Sequence, residues 1–254
     1  MEYGLIGCPL GHSLSPALHK MLAGYDYRLY EISEAELAPL LRERRFLGLN
    51  VTIPYKQKVL PYCDVLSERV RRIGSANTLS VREGLLCAEN TDYSGFAHLL
   101  ARAPFTVRGR KTAVLGTGGT SRTVCAVLED AGAARVVTVS RKGSVDYETL
   151  YREHGDTQII VNTTPVGMWP DTESTPVRLD RLPCVIGVLD VVYRPLRTKL
   201  MRDAEALSIP AVGGLSMLVG QAAESAAIFT GQAIPRETAE QALLLLQKKL
   251  EDMP

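Results

Sequence analysis

The sequence predicts an α/β protein with mostly parallel sheet, and three observations lead there. A short apolar strand at 112–115 runs into the turn Gly116-Thr117-Gly118-Gly119-Thr120-Ser121, and the segment after it, 121–132, carries Val124, Val127 and Leu128 on one helical face. A second, mostly apolar run, 134–139, follows as the next strand. Four phenylalanines and one tryptophan in 254 residues leave the core to aliphatic side chains, which suits parallel strands covered by helices on both faces.

The glycine turn has a specific physical reading. Gly116 suits the tight turn, Gly118 removes a side chain where a pyrophosphate would approach the backbone, and the helix start offers free N–H groups to that anion. Ser121 stands where the dinucleotide fingerprint has its third glycine. About 20 residues on, such folds carry an acid for the ribose 2′-hydroxyl; here the strand ends in Ser140-Arg141-Lys142. An acid would repel a 2′-phosphate, whereas Arg141 can hold one through its planar fork and Lys142 adds a second charge. The inferred cofactor is NADP; the competing reading makes Arg141 and Lys142 a solvated loop pair.

Composition bounds the rest. The 29 basic and 28 acidic residues nearly cancel, which gives no sign of a nucleic-acid or membrane partner. Cys8, Cys63, Cys87, Cys125 and Cys184 are odd in number and lack a CxxC pair, so neither a disulfide framework nor a metal site is expected, and reduced thiols point to the cytoplasm. No run is long enough to cross a bilayer, and the chain starts on a strand-like segment, so no signal peptide is expected. The length allows one large domain or two smaller ones.

In chain order, residues 3–7 read as a strand that delivers Ser13-Leu14-Ser15-Pro16. Ser15 reads as an N-cap with proline at the first helical position, and the helix to about Gly24 is expected to bury Leu18, Met21 and Leu22. Ser13 and Ser15 can present two hydroxyls beside that helix start, a place for a carboxylate. His12 and His19 read as structural. Residues 27–32 read as a strand, 34–45 as an amphipathic helix, and 48–53 as a strand whose carboxyl end leaves Lys56 where open α/β sheets bind ligands. Residues 59–73 read as a helix interrupted near Pro61. A hairpin turning at Glu83-Gly84 then joins two polar tips, Asn77-Thr78 and Asn90-Thr91-Asp92. With Lys56 they make a hydroxyl-binding set holding one acid and one base. Helices are expected at 146–154, 198–207, 217–230 and 236–251, and strands at 158–162 and 185–192. The last helix presents Ala239, Leu243, Leu244, Leu246 and Leu250 as a packing face.

Several of these blocks occur together and in order: Gly11-His12-Ser13-Leu14-Ser15-Pro16, Asn50-Val51-Thr52-Ile53-Pro54-Tyr55-Lys56, Gly74-Ser75-Ala76-Asn77-Thr78, Asn90-Thr91-Asp92-Tyr93-Ser94-Gly95 and the glycine turn. Asn162-Thr163-Thr164-Pro165-Val166-Gly167-Met168, Asp190-Val191-Val192-Tyr193-Arg194-Pro195 and the run from Gly213 to Ala223 follow. With them the chain resembles the shikimate dehydrogenases, NADP-dependent reductases of 3-dehydroshikimate on the way to chorismate and the aromatic amino acids. The resemblance implies a substrate-binding α/β domain from 1–93 plus 215–254 and a Rossmann-like NADP domain from 94–214. It assigns Lys56 and Asp92 to catalysis, and Ser13, Ser15 and Tyr193 to the substrate carboxylate. Thr52, Asn77 and Gln221 would hold the ring hydroxyls. Gly116, Thr117, Gly118, Gly119 and Thr120 would cradle the pyrophosphate, Ser140, Arg141 and Lys142 the 2′-phosphate, and Val191, Gly214 and Met217 the nicotinamide. The expected partners are the small-molecule substrate and, at most, a second copy of the chain, as monomer or homodimer. The chain departs from the family pattern at Lys20, at Ala88 and at Ser140-Arg141-Lys142, where the family usually has asparagine, glycine and an Asn-Arg-Thr run. Two other readings are a broader shikimate/quinate dehydrogenase, with NAD as an alternative cofactor, and a non-catalytic metabolite sensor.

Overall fold

The computed structural model describes residues 3–11 and 13–252, so His12 lies outside the described residues. The chain forms two compact units. The first runs to Ser94 and takes in Val219–Leu246; the second comprises Gly95–Leu218 and the chain from Gln247.

The first unit holds β1 (Tyr3–Gly7), α1 (Ser15–Ala23), β2 (Arg28–Glu31), α2 (Glu34–Glu43), β3 (Gly48–Val51), β4 (Val65–Leu66), α3 (Glu68–Ile73), β5 (Thr78–Arg82), β6 (Leu85–Glu89) and the start of α4 (Asp92–Ala101). Its strands lie in the order β2-β1-β3-β5-β6-β4. Pairing is parallel across β2-β1-β3 and antiparallel across β3-β5-β6. Ile6, Leu41, Leu49, Leu79 and Leu86 fill the core. Local chemistry sets the element ends: Ser33 and Glu36 form a capping box at α2, and Gly24 closes α1 at φ 74°. Glu83 and Gly84 both take positive φ, as a two-residue turn matched to strand twist requires.

The second unit holds β7 (Lys111–Leu115), α5 (Gly119–Asp130), β8 (Arg135–Val139), α6 (Tyr147–Glu153), β9 (Ile159–Asn162), β10 (Gly187–Asp190), α7 (Lys199–Ala206) and β11 (Ala211–Val212). Its sheet, β11-β10-β9-β7-β8, is parallel throughout. β9 and β10 are buried along their whole length, as strands covered on both faces must be. Helices α8 (Leu215–Thr230) and α9 (Arg236–Glu251) complete the chain.

Four expectations change. Residues 59–73 are a single 3-10 turn at Leu60–Tyr62, then β4 and α3. Pro61 has no N–H to continue a helix, and Val65 and Leu66 instead pair with Cys87 and Ala88. Helix α1 begins at Ser15, so Ser15 is not its N-cap; its hydroxyl pairs with Ser13. Met21 and Leu244, read as packing residues, are exposed. The two-residue β11 went unread because a pair of residues carries no period.

Candidate active site

In the first sheet the chain leaves β1 for β2 on one side and reaches β3 on the other, and the carboxyl ends on either side of such a switch form a ligand crevice. Both ends carry residues read from the sequence. Gly7 closes β1, and a Cβ there would fall 2.5 Å from Thr52 Cγ2, so glycine lets Thr52 sit beside it. Thr52 N–H donates to Ile6 O at 2.9 Å, and Tyr55 N–H donates to Thr52 O at 2.9 Å. The Tyr55 hydroxyl donates to Ile32 O at 2.6 Å, which anchors the turn that presents Lys56. From the β1 side, Ser13 Oγ donates to Ser15 Oγ at 3.1 Å and accepts the Ser15 N–H at 3.2 Å. The two hydroxyls expected to act together therefore lie together.

Lys56 Nζ lies 2.5 Å from Asp92 Oδ2, with the two side chains 13% and 8% exposed. Thus the acid and the base meet where water screens them poorly. Asp92 opens α4, and Asn90 caps that opening by accepting the Tyr93 N–H at 3.2 Å while its amide donates to Ser75 O at 2.8 Å. Asn77 is oriented without ambiguity. The Thr91 N–H donates to Asn77 Oδ1 at 2.7 Å, so Asn77 Nδ2 faces the other way, its two protons going to Asp92 Oδ1 and Thr91 Oγ1, each at 3.0 Å, with Gln221 Oε1 3.4 Å away. Lys56, Asp92, Asn77 and Gln221 form one connected polar set.

In the second sheet the switch falls between β7 and β9, and the glycine turn lies at its β7 side. Gly116 takes φ 113°, and a Cβ there would lie 2.7 Å from Thr163 Oγ1. Ser121, in the third-glycine place, donates to Gly116 O at 2.7 Å, so its hydroxyl closes the turn. Gly118 precedes α5 with no capping side chain and no acid in the first turn. A Cβ on Gly118 would meet nothing within 4 Å, so the helix start is open to an anion and fits a pyrophosphate. Ser140 begins the loop after β8, its N–H donating to Val145 O at 3.1 Å, and Arg141 and Lys142 are exposed on that loop. Val191 and Gly214 touch: a Cβ on Gly214 would lie 2.1 Å from Val191 O. Met217 is buried in the first turn of α8. Tyr193 is half-buried in this second unit, its phenol pKa raised by burial and lowered in part by the Arg194 charge.

The resemblance gives Asp190 no role. It is fully buried and accepts hydrogen bonds from Thr198 Oγ1 at 2.7 Å, Asn162 Nδ2 at 3.0 Å and the Val192 N–H at 3.0 Å. Burial pushes its pKa up to about 6 against these three donors. It ties the ends of β9 and β10 together and so shapes the segment bearing Val191 and Tyr193. The only signal in the sequence is an acid ending an apolar strand. Among the described residues, no His, Cys, Asp and Glu cluster could hold a metal, and no helix is long and apolar enough to cross a membrane.

Comparison with known proteins gives the family. Residues 5–79 fit the model of the shikimate dehydrogenase substrate binding domain, and residues 214–244 that of the shikimate 5′-dehydrogenase C-terminal domain. A shikimate dehydrogenase (NADP(+)) of Clostridium perfringens is 36% identical, the alignment covering 94% of this chain and 95% of that protein. The crystal structure of shikimate dehydrogenase 1 from Peptoclostridium difficile superposes with a TM-score of 0.92 at 31% identity, covering 98% of each chain. That of the Thermus thermophilus enzyme, in complex with NADP(H) and shikimate, gives 0.85 at 30% identity, covering 96% of this chain and 99% of that one. The chain belongs to the shikimate dehydrogenase family.

Proposed function

We propose that this chain catalyses the reversible NADP-dependent reduction of 3-dehydroshikimate to shikimate, with Lys56 and Asp92 as the reacting pair. The observation that carries the assignment is the 2.5 Å contact between Lys56 Nζ and Asp92 Oδ2 in a poorly hydrated position. Bound NADPH supplies the hydride. Lys56 gives a proton to the C3 oxygen as reduction proceeds and takes it back in the reverse direction. Asp92 holds the ammonium in place and accepts from a ring hydroxyl. Asn77, Gln221 and Thr52 hold the remaining ring hydroxyls, and Ser13, Ser15 and Tyr193 hold the carboxylate. A buried group left without its hydroxyl partner penalises a substrate that lacks one, so this polar set selects a polyol acid.

The turn from Gly116 to Thr120 fits the pyrophosphate, and Ser140, Arg141 and Lys142 read the 2′-phosphate. Val191, Gly214 and Met217 border the nicotinamide. Residues 1–93 with 215–254 form the substrate domain and 94–214 the NADP domain. The five scattered cysteines, odd in number and without a CxxC pair, support a cytoplasmic location.

The test is an initial-rate assay following nicotinamide absorbance, with shikimate or quinate crossed against NADP or NAD. Turnover only with shikimate and NADP is expected. Comparable rates with quinate or NAD move the protein to the broader enzyme, and shikimate binding without turnover makes it a sensor. Lys56→Ala should lower kcat by about 10²- to 10⁴-fold with a smaller change in KM; near-normal kcat removes Lys56 from the mechanism.

A further inference from the structure

One buried hydroxyl outside the reacting set touches the segments that carry Asn77, Asp92 and Gln221. Ser225 lies on α8 one turn beyond Gln221 and is fully buried. Its Oγ donates to Gln221 O at 2.9 Å. The same oxygen lies 2.8 Å from Asn50 Nδ2, 3.0 Å from Thr78 Oγ1 and 2.9 Å from Thr91 Oγ1. A serine that only bonds back to the carbonyl four residues earlier needs none of these partners.

Two amides fix part of the proton pattern around this oxygen. Asn50 Nδ2 donates to the Asn77 carbonyl at 3.1 Å, which fixes that amide and leaves Asn50 Oδ1 to accept from the Tyr27 hydroxyl at 2.8 Å. Asn77 Nδ2, fixed by the Thr91 N–H on the opposite side, donates to Thr91 Oγ1 at 3.0 Å. Ser225 has one proton and gives it to Gln221 O, so its oxygen accepts from Asn50 and from a threonine hydroxyl. One consistent path then runs from Asn77 through Thr91 to Ser225 and ends on the Gln221 backbone. Thr91 directly precedes Asp92, so the path joins Asp92's neighbour to the helical turn bearing Gln221.

We propose that Ser225 is a positioning residue for this reaction, holding Asp92 and Gln221 in fixed relation through Thr91 and Asn77. The proposal rests on the reading of Lys56 and Asp92 as the reacting pair. Ser225→Ala removes the oxygen that accepts from Thr91, while Asn50 keeps Asn77 O and Thr78 Oγ1 as partners. The expected result is a loss of about fivefold in kcat/KM for shikimate, the size of one neutral hydrogen bond. NADP affinity should change by less than about twofold, because of the residues assigned to NADP only Met217 shares α8 with Ser225, and it lies about two turns away.

The experiment compares Ser225→Ala in the wild-type and Asp92→Asn backgrounds, with enzyme concentration raised to measure the slower variants and with melting temperatures for all four proteins. If Ser225 acts through Asp92, the factor should shrink from about fivefold to under about 1.5-fold in the Asp92→Asn background, while its stability loss is the same in both. Equal factors in the two backgrounds, or no loss in the wild type, overturn the proposal. Ser225→Cys, which keeps the shape of the side chain with a slightly larger and weaker acceptor, replaces Ser225→Ala in the same comparison if the alanine variant does not fold. Lys56→Ala assayed alongside separates the two failures. Near-normal turnover there sinks the reading of the pair, whereas a crippled Lys56→Ala with equal Ser225 factors sinks the role of Ser225 alone.

Discussion

Replacing Asp92 with asparagine removes a charge and keeps the shape of the side chain. In the wild type, Asp92 Oδ2 lies 2.5 Å from Lys56 Nζ and Oδ1 accepts from Asn77 Nδ2 at 3.0 Å. Asn77 is not free to turn its amide over, because its Oδ1 already accepts the Thr91 N–H at 2.7 Å. The new asparagine must keep its oxygen toward Asn77 and aim its NH₂ at the Lys56 ammonium, donor against donor. A hydrogen bond to a charged group contributes about 1.5–3 kcal/mol net, and the low exposure of this pair places it in the upper part of that range. A loss of about 2–3 kcal/mol in the positioning of Lys56 corresponds to roughly 30- to 150-fold in turnover. Initial rates of NADPH formation from shikimate should show that fall in kcat, with KM rising by a smaller factor. A kcat within about threefold of wild type would refute the reasoning, since the contact would then be structural only.

Three further outcomes are expected. Arg141→Ala should weaken NADP by about tenfold or more and leave NAD nearly unchanged, measured by titration of each cofactor; equal losses would show that Arg141 does not read the phosphate. Gly214→Ala places a methyl 2.1 Å from Val191 O, a backbone atom that cannot rotate away. Overpacking of about 1–3 kcal/mol should lower the melting temperature by roughly 3–10 °C and weaken NADP, and an unchanged melting temperature would show that the backbone yields freely. His19 is buried, stacked on Tyr27 with ring centroids 4.0 Å apart, and burial lowers its pKa to about 3. Its folded pKa lies below the ordinary value of 6.5, so its share of stability is complete above about pH 6.5 and is lost as pH falls toward 3. Between pH 7 and 5 the wild type should lose about 2 kcal/mol that His19→Gln does not lose, measured by urea unfolding; parallel pH profiles would show that His19 is not held neutral.

Much of the fold was legible because its signals are local. A strand, a glycine turn and a helix within 112–132, or two positive-φ residues at 83–84, depend on the conformational preferences of a few adjacent residues. Local signals failed where pairing with a distant strand overrode them. Residues 59–73 carry a helical pattern, yet Val65 and Leu66 find their hydrogen bonds on β6. Leu244 belongs to an apolar stripe on α9 and faces solvent, because the width of the buried face depends on what packs against the helix.

The residue types needed for the chemistry were also present in the sequence: a lysine at a strand end, polar tips rich in asparagine and threonine, and an arginine where an acid would bind a 2′-hydroxyl. Tertiary structure alone decided which of them meet. Lys56 and Asp92 are 36 residues apart, and Asn50 and Ser225 are 175 apart. Their contacts follow from the register of β3, β5 and β6 and from the rotation of α8, neither of which leaves a periodic trace in the chain. The direction of each hydrogen bond, and the raised pKa of Asp190, depend on burial and on a complete set of neighbours. A sequence names the donors and acceptors, but only the packed chain removes the water that would otherwise satisfy them all.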